Sequence, residues 1–105
     1  MSHSKVNYEE TDTKYGMHLL RDELGCEDHG FTVVDAEPGW EGPEHEHGDQ
    51  DHEEVYFVVD GEATITVDGE NVDMQTGDAL RISPGATRQV NNGDTESQFV
   101  ITGAP

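Results

Sequence analysis

The stretch "EEVYFVVDGEATITVDG", residues 53–69, decides the fold. Residues 55–59 form an unbroken run of Val, Tyr and Phe, residue types that suit a pleated and packed surface. Asp60-Gly61 follows, and Asp-Gly between two such runs is a hairpin turn. Residues 63–67, Ala-Thr-Ile-Thr-Val, then alternate with period two, as a strand with one buried face does. Asp68-Gly69 turns the chain again. The stretch predicts two antiparallel strands and the start of a third.

The same grammar extends in both directions. Residues 31–35 read as a strand, followed by a Pro/Gly loop over 36–44. Val72 and Met74 belong to the strand after Asp68-Gly69. Gly77-Asp78 precedes a strand over 79–82, Ser83-Pro84-Gly85 turns, and 87–91 form the next strand. Asn92-Gly93 turns toward a last strand over 98–102. Seven or eight short strands with turns every eight to twelve residues predict an antiparallel sandwich or barrel. No helical period, internal repeat or low-complexity linker follows residue 30. Within residues 1–30, Met17, Leu19, Leu20 and Leu24 fit either one face of a short helix or an edge strand, and both stay open. At 105 residues the chain is one domain. Residues 1–30 are expected to pack on a barrel formed by 31–105.

Strand 55–59 is apolar on both faces. One face fills the interior, and the other needs a second sheet or a second subunit to cover it. In so small a domain this predicts a homodimer.

Asp and Glu number 24 against five Lys and Arg, a formal charge of −19 with histidine neutral. Such a balance ordinarily signals disorder, but here the acids fall between the apolar runs or alternate with them. An acidic surface of this density repels nucleic acid and anionic lipid, which excludes both as expected partners. At molar salt the Debye length falls to about 3 Å and the self-repulsion is screened, so the composition suggests a salt-accumulating halophile. Cys26 stands alone, which leaves no internal disulfide. No N-terminal stretch reads as a signal peptide, and the longest apolar run is too short for a membrane span. A cytoplasmic location is the expectation.

Chemistry concentrates in "EHEHGDQDHEEVYF", residues 44–57. His45 and His47 are two apart, so on extended backbone both side chains leave one face. Two imidazoles can then meet one ion at about 2.0–2.1 Å. A carboxylate would complete a set that leaves positions open for substrate or oxygen. With 24 acids, mere proximity of a carboxylate means nothing, so only the spacing of Glu54 carries weight. Asp49-Gln50-Asp51 begins like a calcium-binding EF-hand loop. That reading fails, because Glu54 stands where a glycine is required and no helices flank the loop.

At this point a resemblance appears. Residues 39–61, "GWEGPEHEHGDQDHEEVYFVVDG", resemble the first motif of the cupin family, G-x5-H-x-H-x3-4-E-x6-G. Gly39, His45, His47, Glu54 and Gly61 fall on it, with six residues rather than three or four between His47 and Glu54. Residues 77–92, "GDALRISPGATRQVNN", resemble the second motif, G-x5-P-x-G-x2-H-x3-N. Gly77, Gly85 and Asn92 match, and Arg88 replaces the histidine. The resemblance covers roughly residues 31–102. It implies an all-β fold, the double-stranded β-helix or jelly-roll barrel. It also implies a divalent transition metal (Mn, Fe, Ni or Zn) held by His45, His47 and Glu54. His52 is a candidate substitute for the missing fourth ligand.

Arg88 has support of its own. It shares a strand face with Val90 and therefore points inward. A cation aimed into a barrel needs a partner. One reading pairs it with Glu54 and leaves no metal. The other makes it a fork for a carboxylate or phosphate ligand beside the metal. Trp40 and Tyr56 are further candidates to line the pocket. Two functions follow. The first is metal-dependent chemistry on, or binding of, a small organic molecule. The second is a non-catalytic binding or sensor module whose metal site has decayed. Whether the chain is an enzyme stays open at this stage.

Overall fold

A computed structural model describes residues 2–43 and 52–105. His45, His47 and most of the loop between the first-motif histidines and Glu54 lie outside the described residues. The described chain forms eight strands: β1 Met17–Leu19, β2 Gly30–Ala36, β3 Glu53–Asp60, β4 Glu62–Val67, β5 Glu70–Gln75, β6 Ala79–Ile82, β7 Arg88–Asn92 and β8 Ser97–Ala104. One short helix, α1 (Arg21–Leu24), and a 3-10 turn at Tyr8–Glu10 precede the main body. Residues 17–24, left open between strand and helix, are both in turn: an edge strand, then a single helical turn ended by Gly25 in the left-handed region, φ 74°.

The strands make two antiparallel sheets. The order is β1-β2-β8-β3-β6 in one and β5-β4-β7 in the other. Their inner faces meet over a core that includes Val34, Tyr56, Val58, Ile82 and Phe99 from the larger sheet and Ile65, Met74 and Val90 from the smaller. This is the expected jelly-roll sandwich, closed by the period-two alternation of each strand. The Asp68-Gly69 turn carries positive φ at both residues, 50° and 83°, the primed geometry whose twist matches that of a tight hairpin. Gly61 is more constrained. At φ 100°, a Cβ there would stand 2.2 Å from Ser97 Oγ and 2.9 Å from the Glu96 carbonyl oxygen, so only glycine lets β3 turn into β4 beside β8.

Along β3, Tyr56 and Val58 are buried, while Val55, Phe57 and Val59 lie on the outer face at 36%, 41% and 41% exposure. The outer face of β1, β2 and β8 is instead partly covered by the chain's own beginning. His18 sits there, 7% exposed, with Tyr8 edge-on at 5.1 Å and Thr11 Oγ1 3.1 Å from Nδ1. The N-terminal residues thus cover one half of the larger sheet's outer face and leave the β3 half bare.

Candidate functional site at the barrel mouth

Glu54 lies on the inner face near the start of β3, opposite Gly103 of β8 and Ile82 of β6. Arg88 opens β7 in the facing sheet, on the same side as Val90 and Asn92. Strand alternation therefore aims the two side chains at each other across the interior. Arg88 Nη1 donates to Glu54 Oε1 at 2.5 Å, with the arginine side chain 0% and the glutamate side chain 15% exposed. The turn before β7 wraps the rest of the guanidinium. Nε and Nη2 donate to the Ala86 carbonyl at 3.1 and 2.8 Å, and Nη2 also reaches the Ser83 carbonyl at 3.2 Å. The cation is thereby bound on the pattern a buried guanidinium requires, one carboxylate plus carbonyl oxygens.

Tyr56 stands one pleat along from Glu54 on the same face, and its hydroxyl donates to Glu54 Oε1 at 3.4 Å. Burial and, next, the charge of Glu54 push this phenol well above the ordinary tyrosine range. The unfolded phenol ionises near pH 10, whereas the folded one resists. Tyr56 therefore adds stability that is fully present below about pH 10 and is lost as pH rises beyond it. Stability measured by denaturant titration between pH 8 and 11 should fall in the parent and fall less in Tyr56→Phe. Equal slopes would show that the Tyr56 phenol contributes nothing to alkaline unfolding.

The other candidates separate. Trp40 packs against the core, and its Nε1 donates to the Tyr15 carbonyl at 3.0 Å, a strut between the N-terminal residues and the barrel. His52 immediately precedes β3, half-buried, beside Glu54. Asn92 staples the far end of β7, with Nδ2 donating to the carbonyls of Glu37 at 2.7 Å and Thr95 at 2.8 Å.

Beside Glu54 the inner face is hollow. Gly30 and Gly103 pair across β2 and β8, and Thr32 and Ile101 pair next to them. These residues, with His52, Glu54, Arg21 of α1 and Asp28, line a cavity of about 160 Å³. Sequence reading missed this feature, because two glycines far apart in the chain announce nothing until the sheet brings them together. A wider open cleft of about 600 Å³ lies at the other end of the sheet. Asp35, Glu37, Asp60 and Glu96 wall it with carboxylates, and it is remote from the Arg88–Glu54 pair.

The sequence matches the cupin domain family over residues 32–103. This chain belongs to the cupin family. Its solved structural relatives include a cupin protein from Bacteroides fragilis, 25% identical, with a TM-score of 0.84 over 99% of this chain and 85% of that one. An RmlC-like cupin from Shewanella frigidimarina is 24% identical, with a TM-score of 0.76 over 100% and 95% of the two chains. A sugar phosphate isomerase of the cupin superfamily from Silicibacter pomeroyi is 21% identical, with a TM-score of 0.79 over 97% and 76%. No curated protein matches the chain.

The metal that cupins often carry can be tested against the side chains of this cupin. The family's second-motif histidine is Arg88 here, a fixed cation 2.5 Å from the carboxylate expected to serve as a ligand. A divalent ion on Glu54 would face that guanidinium with little water between them, which is repulsive. Among the described residues no group of three His, Cys, Asp or Glu side chains is arranged to hold an ion. The described part of the site does not fit a divalent metal.

Proposed function

We propose that this cupin is a non-catalytic binding module, which takes a small organic molecule at the barrel mouth with the Arg88–Glu54 pair in place of a metal centre. The observation that carries this reading is the pair itself. A side chain that would ligate the metal is bound to a side chain that would repel it. The adjoining hollow supplies the concave, partly apolar space that small-molecule sites need, with polar groups converging at one edge. The cupin family supports the small-molecule class without naming the ligand, since one fold hosts many functions. The charge of −19 supports a high-salt cytoplasm as the setting.

The second reading keeps metal-dependent chemistry, and the His45-x-His47 spacing is what favours it. Metal analysis of untagged protein, prepared without chelator, separates the two. The binding-module reading expects no stoichiometric Mn, Fe, Ni or Zn in the parent. It also expects a gain of affinity in Arg88→His, which removes the repelling charge and adds an imidazole. Stoichiometric metal in the parent that disappears in His47→Ala would establish the metal-dependent reading instead.

A homodimer is part of the proposal. Val55, Phe57 and Val59 make a bare apolar strip, flanked on the neighbouring strand by Arg81, which is hydrogen-bonded to Glu53 at 2.7 Å. An apolar centre with a cation and an acid beside it is self-complementary about a two-fold axis. The occupant we assign is therefore a second copy of the chain.

A further inference from the structure

Three arginines stand on the described chain, and two of them are taken. Arg81 holds Glu53 and Arg88 holds Glu54. Arg21 differs. Among the described residues its one hydrogen bond runs from Nη2 to the Glu27 carbonyl at 2.6 Å, and no carboxylate pairs with it, in a chain that carries 24 acids. It projects from α1 onto the hollow beside Glu54. A guanidinium presents five N–H donors in a fixed fork, so most of the recognition capacity of Arg21 is unspent.

The floor of the hollow points the same way. Neither Gly30 nor Gly103 has left-handed backbone. A Cβ on Gly103 would meet Glu54 Cγ at 3.4 Å and Oε2 at 3.6 Å, and one on Gly30 would meet the Gly103 carbonyl oxygen at 3.6 Å, all ordinary contacts. The backbone does not require glycine at either place. What the two glycines provide is room between Arg21 and Glu54. At roughly 30 Å³ per water, 160 Å³ corresponds to about five waters, the size of a ligand with about five to seven non-hydrogen atoms.

From a spare fork on one side and a carboxylate acceptor on the other, we infer that the hollow takes a small carboxylic acid that also carries a hydroxyl or ammonium donor. Its carboxylate lies on Arg21 and its donor faces Glu54, with Ile101 beneath the carbon chain. Arg21 is then the residue that selects for the anion, against a net charge that otherwise repels it. This inference rests on the barrel mouth being the ligand site.

Glycolate and its neutral isostere glycolamide make the test, since they differ in charge and hardly in size. Each is titrated into the full ¹⁵N-labelled chain in molar KCl while the Gly30 and Gly103 amides are followed by NMR. Glycolate should shift both amides and bind at least tenfold tighter than glycolamide. Arg21→Gln should erase that preference while leaving the weak glycolamide response in place, and Arg21→Lys should keep part of it. Gly103→Ala, which narrows the hollow, should weaken both probes. If glycolate and glycolamide bind equally and Arg21→Gln changes neither, the carboxylate inference is overturned while the mouth remains a binding site. If neither probe moves either amide at any concentration, the mouth reading itself falls, and the inference with it.

Discussion

Arg88→Met should lower the stability of the domain by about 3–5 kcal/mol, the cost of leaving a buried charge without its partner. The Glu54 side chain is only 15% exposed and would lose its guanidinium, while the Ser83 and Ala86 carbonyls would lose their donors. For a domain of this size each kcal/mol moves the melting temperature by roughly 4–8 °C, so the shift should be at least about 12 °C. The loss is a large share of the roughly 5–15 kcal/mol that holds a typical domain together. Glu54→Leu alone should cost a comparable amount, because it strands the arginine in turn. The double variant Arg88→Met/Glu54→Leu removes both charges together, and apolar replacement of a whole buried pair is often neutral or better. Its melting temperature should therefore lie above that of either single variant. The cycle should return a coupling larger than the loss in either single variant, more than about 3 kcal/mol. A coupling near zero would mean that the two side chains are held independently, and the pair could no longer be the element that displaces a metal.

Why the inward direction of Arg88 was legible in the sequence, while its choice of partner and the hollow beside it were not, comes down to range. Arg88 announces its direction through Val90 two residues away, because a strand side chain has only two faces to choose from. The strands were legible for the same reason, and the Asp60-Gly61 and Asp68-Gly69 turns fixed where each ended. Residues 17–24 resisted because three residues of strand and four of helix are too short to show either period. The hollow depends on Gly30 facing Gly103, with Arg21 brought over them by a helix that has no motif of its own. Nothing local encodes such a meeting. His18 is similar: nothing in its neighbours marks it as buried, and only the fold shows the Tyr8–Thr13 segment lying over it.

The bare strip on β3 leads to the other large effect, in which Phe57→Asp should convert the proposed homodimer to a monomer of 11.6 kDa. Two-fold symmetry doubles the lesion, since each copy brings one carboxylate to an interface that has no place for it. Phe57 is already 41% exposed within one chain, so the substitution should spare the fold of the protomer while it breaks the assembly. Salt provides an independent lever on the same equilibrium. Each copy carries −19, so two copies approach against strong repulsion in dilute buffer and against little of it at molar KCl, where the Debye length is about 3 Å. Light scattering of the parent should report about twice the chain mass in molar KCl and move toward one chain mass on dialysis to low salt. The melting temperature should fall along with it, because both folding and association gather like charges. Phe57→Asp should stay monomeric at every salt concentration and yet keep a salt-dependent melting temperature, which reports the repulsion within one chain. If the parent is a monomer in molar KCl at micromolar concentration, the strip on β3 does not pair with a second copy. If the melting temperature of Phe57→Asp is flat from dilute buffer to molar KCl, the acidic surface does not tie this cupin to a salt-rich cytoplasm.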